Sequence, residues 1–234
     1  MMFNIDKCKV IHFGYNNEEF HYKLGNNELS VGEDERDLGI IIDRSLKPSK
    51  QCNKAAASAN STLGMINRTF ICKDKDIILF LYKSLVRPKL EYCIQTWCPY
   101  LQKDIQVLEK VQRRATRMID GFSNVVYYER LKLLGLTTLE TRRLRGDLLE
   151  VFKIFRGFDN IDKDIFFEMN KNDLRGHSWK LFKKRSKLEV RKNFFSNRVV
   201  DEWNALPQEV IESLTVSAFK KRLDHHLRFN RGFI

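Results

Sequence analysis

The apolar positions of this chain change their spacing near Pro48, from short strand-like runs to the three-and-four spacing of helices. Before that point Val10, Ile11 and Phe13 end one apolar run, and Leu38 to Ile42 form another. Between them, Phe20 to Leu24 and Glu28 to Val31 flank Gly25-Asn26-Asn27. These three turn residues tolerate positive φ, so the spacing predicts a β-hairpin. Three such strands need helices or a larger sheet to cover their apolar faces.

After Pro48 the stripes are helical. Ala55, Ala56, Ala59, Leu63 and Ile66 form a small-residue stripe, and Ile77, Ile78, Leu81, Tyr82 and Leu85 form a larger one ending near Pro88. Ile105, Leu108, Val111, Ala115, Met118 and Ile119 define the inner face of a third helix, with Lys110, Arg113, Arg114 and Arg117 opposite. Thr137 and Glu140 are spaced as a capping box, opening a helix that buries Leu144, Leu148, Val151, Phe152 and Phe155 and stops at Gly157. Further helices are expected around residues 187–205 and 215–228, separated by Leu206-Pro207. The fold class is therefore α+β, a short antiparallel β region followed by a predominantly helical body.

Composition adds a partner class. The 234 residues carry a formal charge of +12, and residues 1–50 hold 7 Lys/Arg against 9 Asp/Glu, which leaves +14 on the remainder. A basic body favours a polyanionic partner, although such charge also serves solubility. No apolar run of 18 residues occurs, so no membrane span is expected. The five cysteines are scattered and odd in number, which reads as reduced thiols in nucleus or cytoplasm. Cys93 and Cys98 lack a second Cys/His pair at zinc spacing, and His225-His226 reads as surface rather than metal site.

Two segments carry candidate nucleic-acid chemistry. Lys110, Arg113, Arg114 and Arg117 share a broad helical face able to hold phosphates, or simply a solvated face balanced by Glu109. Residues 171–198 hold 10 Lys/Arg against 2 Asp/Glu, with Lys183, Lys184, Arg185, Lys187, Arg191 and Lys192 interleaved with aromatics. Of these aromatics, Trp179 is the candidate for stacking on an unpaired base, while Phe194 and Phe195 read as core anchors. Asp34 with Asp37 and Asp74 with Asp76 read as residues that solvate turns or stabilise a helix start, not as catalytic pairs.

The order of several short motifs resembles the reverse transcriptases of non-LTR, LINE-like retrotransposons of the jockey/CR1 type. They are Phe3-Asn-x-x-Lys-Cys-Lys-Val-x-His-Phe-Gly14, Tyr22-x-Leu-x-x-x-x-Leu29, Asp37-Leu-Gly-Ile-Ile-Ile-Asp43, Leu63-Gly-x-Ile66 and Leu81-Tyr-Lys-Ser-Leu-Val-Arg-Pro-Lys-Leu-Glu-Tyr-Cys93. Trp97-x-Pro99, Glu109-x-x-Gln-Arg-Arg-Ala-Thr-Arg117, Leu133-x-Gly-Leu-x-x-Leu-Glu-x-Arg-Arg143, Arg191-x-x-Phe-Phe-x-x-Arg198 and Trp203-Asn-x-Leu-Pro207 follow in order. The resemblance spans nearly the whole chain. It implies that residues 1–48 are the end of a polymerase palm with a primer-supporting hairpin at Asp37, Leu38 and Gly39. Residues 49–125 would then be a helical thumb-like domain, and 126–234 a basic C-terminal extension.

The family's catalytic aspartates, one on an early palm strand and an adjacent pair in a Phe/Tyr-Ala-Asp-Asp turn, have no counterpart here. Two-metal nucleotidyl transfer needs several converging carboxylates, so the expectation is a fragment without catalytic or metal-binding residues, inactive alone and without cofactor. Mg²⁺ is implied only for the intact parent polymerase. The expected partners are RNA or an RNA–DNA duplex and the missing fingers and palm; a structural module docking an acidic protein is the alternative.

Overall fold

The computed structural model describes residues 4–14, 16–170 and 176–231. Phe3 of the first motif and residues 171–175 of the basic segment lie outside them. The fold is α+β, as expected: short strands lead into a body of helices.

Among the described residues the β region consists of three two-stranded pieces. Strands β2 (Lys23–Leu24) and β3 (Asn27–Glu28) make the expected hairpin, turning on Gly25, whose φ is +62°, and Asn26. The run Glu28 to Val31 is not one strand, because after Leu29 it changes partner. Its second half, β4 (Ser30–Val31), pairs in parallel with β1 (Lys9–Val10). The third expected strand is also shifted. Leu38 and Gly39 are the central residues of a turn, with φ of +45° and +89°, joining β5 (Asp34–Asp37) to β6 (Ile40–Asp43). Positive φ at both positions marks a type I′ hairpin turn. Strand β5 reads Asp-Glu-Arg-Asp, so apolar spacing gives it no signal.

Helix α1 (Ser49–Thr69) buries the predicted stripe of Ala55, Ala56, Ala59, Leu63 and Ile66. The small residues let it pack along α3 (Arg87–Glu91) and α5 (Gln102–Arg117). The second stripe rotates. From α2 (Lys75–Leu81) the chain runs through a π-turn at Tyr82–Val86 into α3, and the buried residues are Ile78, Leu79, Tyr82, Val86 and Leu90. Arg87 N donates to Tyr82 O, five residues back. That wide turn lets the helix continue through Pro88, which has no N–H to offer, instead of ending there. Ile77 and Leu85, expected inside, are exposed as a result. The short α4 (Ile94–Trp97) and the extended Cys98–Leu101 segment follow.

Helix α6 (Tyr127–Leu133) folds back beside α5, and α7 (Leu139–Arg156) leaves it. The cap of α7 is Thr138, whose hydroxyl accepts from Thr141 N at 3.2 Å, one residue beyond the expected Thr137–Glu140 box. Gly157 ends the helix with φ of +69°, as its position predicts. Beyond it lie α8 (Lys163–Phe166), α9 (Glu189–Lys192), α10 (Phe195–Arg198), α11 (Val200–Asn204), α12 (Gln208–Ile211) and α13 (Val216–Arg231). Residues 187–205 thus form three short helices rather than one.

Buried side chains fall into two cores. The first runs from Ile40 to Leu139, the second from Leu148 to Leu227 around Trp203 and the stacked rings of Phe152 and Phe219, 4.1 Å apart. Both meet on α7, so residues 126–139 pack with the preceding helices rather than with the extension. Arg198 joins the cores: it grips Asp147 with two 2.9 Å bonds and reaches the carbonyls of Ile94 and Gln95.

Candidate nucleic-acid interface

Helix α5 buries Ile105, Leu108, Val111 and Ala115 and thereby turns Lys110, Arg114 and Arg117 into solvent. Arg113 lies half-buried between the two faces. The same helix buries polar residues that its apolar stripe does not announce, among them Glu109 and Gln112. Gln112 accepts from the Tyr82 hydroxyl at 2.6 Å and donates to the Tyr127 hydroxyl and to Thr137 O, both at 2.9 Å. The Tyr127 hydroxyl donates to Glu109, and Leu139 N donates to the other Glu109 oxygen at 3.1 Å. Burial and the Glu109 carboxylate together push the Tyr127 phenol well above its ordinary pKa, so it remains a donor. Glu109 therefore does not balance the basic face; its carboxylate is committed to the interior.

This network fixes the Tyr127 ring as a platform. The Arg113 guanidinium lies over it, 4.5 Å from its centre, and Arg130 of α6 lies 5.6 Å away. Arg113, Arg114, Arg117 and Arg130, with Ser123 from the α5–α6 loop, line one open depression of about 430 Å³. Arg130 is only 6% exposed, and its Nη1 donates to Phe122 O over a long 3.4 Å. The Nε groups of Arg113 and Arg130 are buried with no partner among the described residues. Burial lowers the pKa of Arg130, and the nearby Arg117 and Arg113 charges lower it further.

Among the described residues no carboxylate pairs with any of these four arginines, whereas Arg44 holds two and Arg142, Arg145 and Arg198 hold one each. Arg114 is held by Asn60 Oδ1 at 3.1 Å, which positions it without neutralising it. Arg114 and Arg117 sit at the negative end of the α5 dipole, which offsets part of their mutual repulsion. Three of the four arginines were legible on the α5 face; Lys110 shares that face but does not line the depression. Arg130 and Ser123 were not legible, because only the return of α6 beside α5 brings them in.

The second basic segment is less concentrated than its composition implies. Lys183 pairs with Asp201, Lys184 with Glu168 at 3.6 Å, and Lys192 with Glu189 at 2.5 Å. Arg191 lies over the Phe194 ring at 5.2 Å, while Arg185 and Lys187 are exposed. Trp179 is placed as a packing residue rather than an open stacking surface. Its ring lies 6.0 Å from that of Phe155 and carries the Arg156 guanidinium at 4.6 Å. Phe195 is buried as expected, but Phe194 is exposed.

At the β5–β6 tip, the Tyr92 hydroxyl donates to Leu38 O at 3.1 Å and Gly39 passes close to the Tyr92 ring. The Leu38 side chain is 82% exposed. Of the expected non-catalytic pairs, Asp34 binds Lys50 at 2.5 Å, and Asp74 caps α2 through Asp76 N at 2.8 Å. Among the described residues no three His, Cys, Asp or Glu side chains cluster as metal ligands, and no helix is long and apolar enough to cross a membrane. Comparison with protein-family models, with curated proteins and with solved structures found no match.

Proposed function

We propose that this chain binds RNA or an RNA–DNA duplex through the arginine-lined face of α5 and α6, as the thumb-like and C-terminal part of a non-LTR retrotransposon reverse transcriptase that is inactive alone. The observation that carries the binding reading is the convergence of Arg113, Arg114, Arg117 and Arg130 on one depression without a carboxylate to neutralise them. Guanidinium groups present planar forks that match phosphate oxygens, and the field of an uncompensated cluster draws in a polyanion. Lys110 extends the positive surface along α5, and the exposed Arg185 and Lys187 offer separate cationic contacts. The assignment to the reverse transcriptase family rests on the motif order of the sequence.

The β region supports a partner body such as the missing palm. Val31 is exposed on β4, and Phe13, Phe20 and Tyr22 are exposed in the stretch between β1 and β2, beside short two-stranded pieces with open edges that another protein layer would cover. The second reading, a protein-interaction module, draws on Ile77, Phe80 and Leu85, which stay exposed along α2 and the π-turn. Fluorescence anisotropy with several unrelated RNAs separates the two. Nucleic-acid binding predicts similar affinities across sequences, weakened together by Arg113→Ala, Arg114→Ala and Arg117→Ala. A folded protein that fails to bind at about 50 mM salt, where phosphate contacts are strongest, refutes the proposal and leaves the interaction module.

A further inference from the structure

We propose that the depression between α5 and α6 takes a terminal phosphate, the phosphomonoester at the end of a nucleic-acid strand, in preference to the phosphodiesters along it. The inference rests on the nucleic-acid reading above and deepens it. A surface that tracks a backbone spreads its cations along a line, one per phosphate. Here four arginines from two helices line one volume, with Ser123 on its rim. A phosphomonoester carries about −1.5 to −2 charges and three strong acceptor oxygens at neutral pH, against one charge and two free oxygens for a diester. The concentrated positive charge therefore matches the strand end better than the strand interior.

The depth of Arg130 strengthens this assignment. It is buried, its Nε has no partner among the described residues, and its position beside Arg113 and Arg117 is electrostatically unfavourable. Such an arrangement is relieved by an anion rather than by solvent alone. The Glu109–Gln112–Tyr127 network holds the ring on which Arg113 and Arg130 rest, so the cations are fixed before a ligand arrives. About 430 Å³ accommodates the phosphate together with its sugar. The occupant consistent with both the charge density and the opening is a strand end whose remaining nucleotides run out over Lys110 and the exposed α5 face.

The test compares two oligonucleotides of one sequence, labelled at the 3′ end and bearing either a 5′-phosphate or a 5′-hydroxyl. One additional charge-assisted contact predicts about tenfold tighter binding of the phosphorylated strand. Arg114→Ala and Arg117→Ala, at exposed positions that leave the fold intact, should each shrink that preference. Arg130→Lys, which keeps the charge and loses the fork, should remove most of that preference, read as the ratio of the two affinities. Equal binding of the two strands, or a preference that these variants leave unchanged, overturns the terminal-phosphate site and leaves general nucleic-acid binding intact. Failure of both strands to bind removes both proposals. A 5′-mononucleotide that competes as well as the phosphorylated strand would assign the depression to free nucleotides and overturn the strand-end assignment.

Discussion

Replacing Arg198 by Ala isolates the contact that ties the two cores together. Its guanidinium makes two 2.9 Å bonds to Asp147, whose side chain is only 4% exposed, and further bonds to the carbonyls of Asn193, Ile94 and Gln95. Without it, Asp147 keeps a buried charge with Arg143 as its remaining cationic neighbour. Breaking one side of such a pair costs about 3–5 kcal/mol, because the partner charge stays desolvated. For a chain of this size about 2–4 °C accompany each kcal/mol, so Tm should fall by about 6–20 °C. Burial already raises the Asp147 pKa, with the Arg198 charge opposing it. In the variant that opposition is gone and the folded pKa lies further above the unfolded value. Protonation then favours the folded state, and the penalty should be smaller at pH 5 than at pH 7.5. Asp147→Asn combined with Arg198→Ala should cost less than the sum of the single changes. Urea denaturation at both pH values measures all three. A loss below about 1 kcal/mol for Arg198→Ala, or strict additivity, would refute the reasoning.

His177 is buried, bonds Trp203 O through Nε2 at 2.9 Å and accepts from Trp179 N, and burial lowers its pKa. The unfolded state therefore binds a proton more readily, and stability should fall by up to about 1.4 kcal/mol per pH unit below about 6.5. His177→Asn should flatten that slope; an unchanged slope would trace it to other groups, such as His226, whose pKa is also lowered. Leu38 adopts a left-handed conformation unfavourable for its branched side chain, so Leu38→Gly should stabilise the protein by about 1 kcal/mol. A loss of stability would mean that the exposed side chain makes a contact in the folded state. Purified protein should show no templated DNA synthesis with Mg²⁺ or Mn²⁺, because the sequence lacks counterparts of the catalytic aspartates of the reverse transcriptases it resembles. Robust extension retained through independent purifications would contradict the expectation.

What the sequence disclosed depends on what its side chains do in the fold. The α1 stripe and the Gly157 stop were legible because periodicity and glycine chemistry act locally. The second stripe was misaligned because the π-turn at Tyr82–Val86 adds an offset that regular spacing does not contain. Strand β5 carries charges on an exposed hairpin, so only its pairing with β6 reveals it. At the candidate site, Arg113, Arg114 and Arg117 follow from the opposite face of a well-defined helix. Arg130 comes from tertiary return, and the inward turn of Glu109 comes from Tyr127, Gln112 and Leu139 supplying partners that helical spacing cannot show. Lysines 183 and 184 were legible as charge, but their distant carboxylates Asp201 and Glu168 were visible as partners only once folded, whereas Glu189 and Lys192 pair at ordinary helical spacing.

The most direct measurement is the salt dependence of RNA affinity for the wild-type chain and for the Arg113→Ala, Arg114→Ala, Arg117→Ala triple variant. Neutralised phosphates release condensed counterions, so roughly 4–6 contacts make log affinity fall by about 3–5 units per tenfold rise in salt. Loss of three contacts should reduce that slope by about 2–3 units and weaken binding across unrelated sequences alike. Binding that is absent at about 50 mM salt in the folded protein, or a slope identical in the two proteins, would contradict the account.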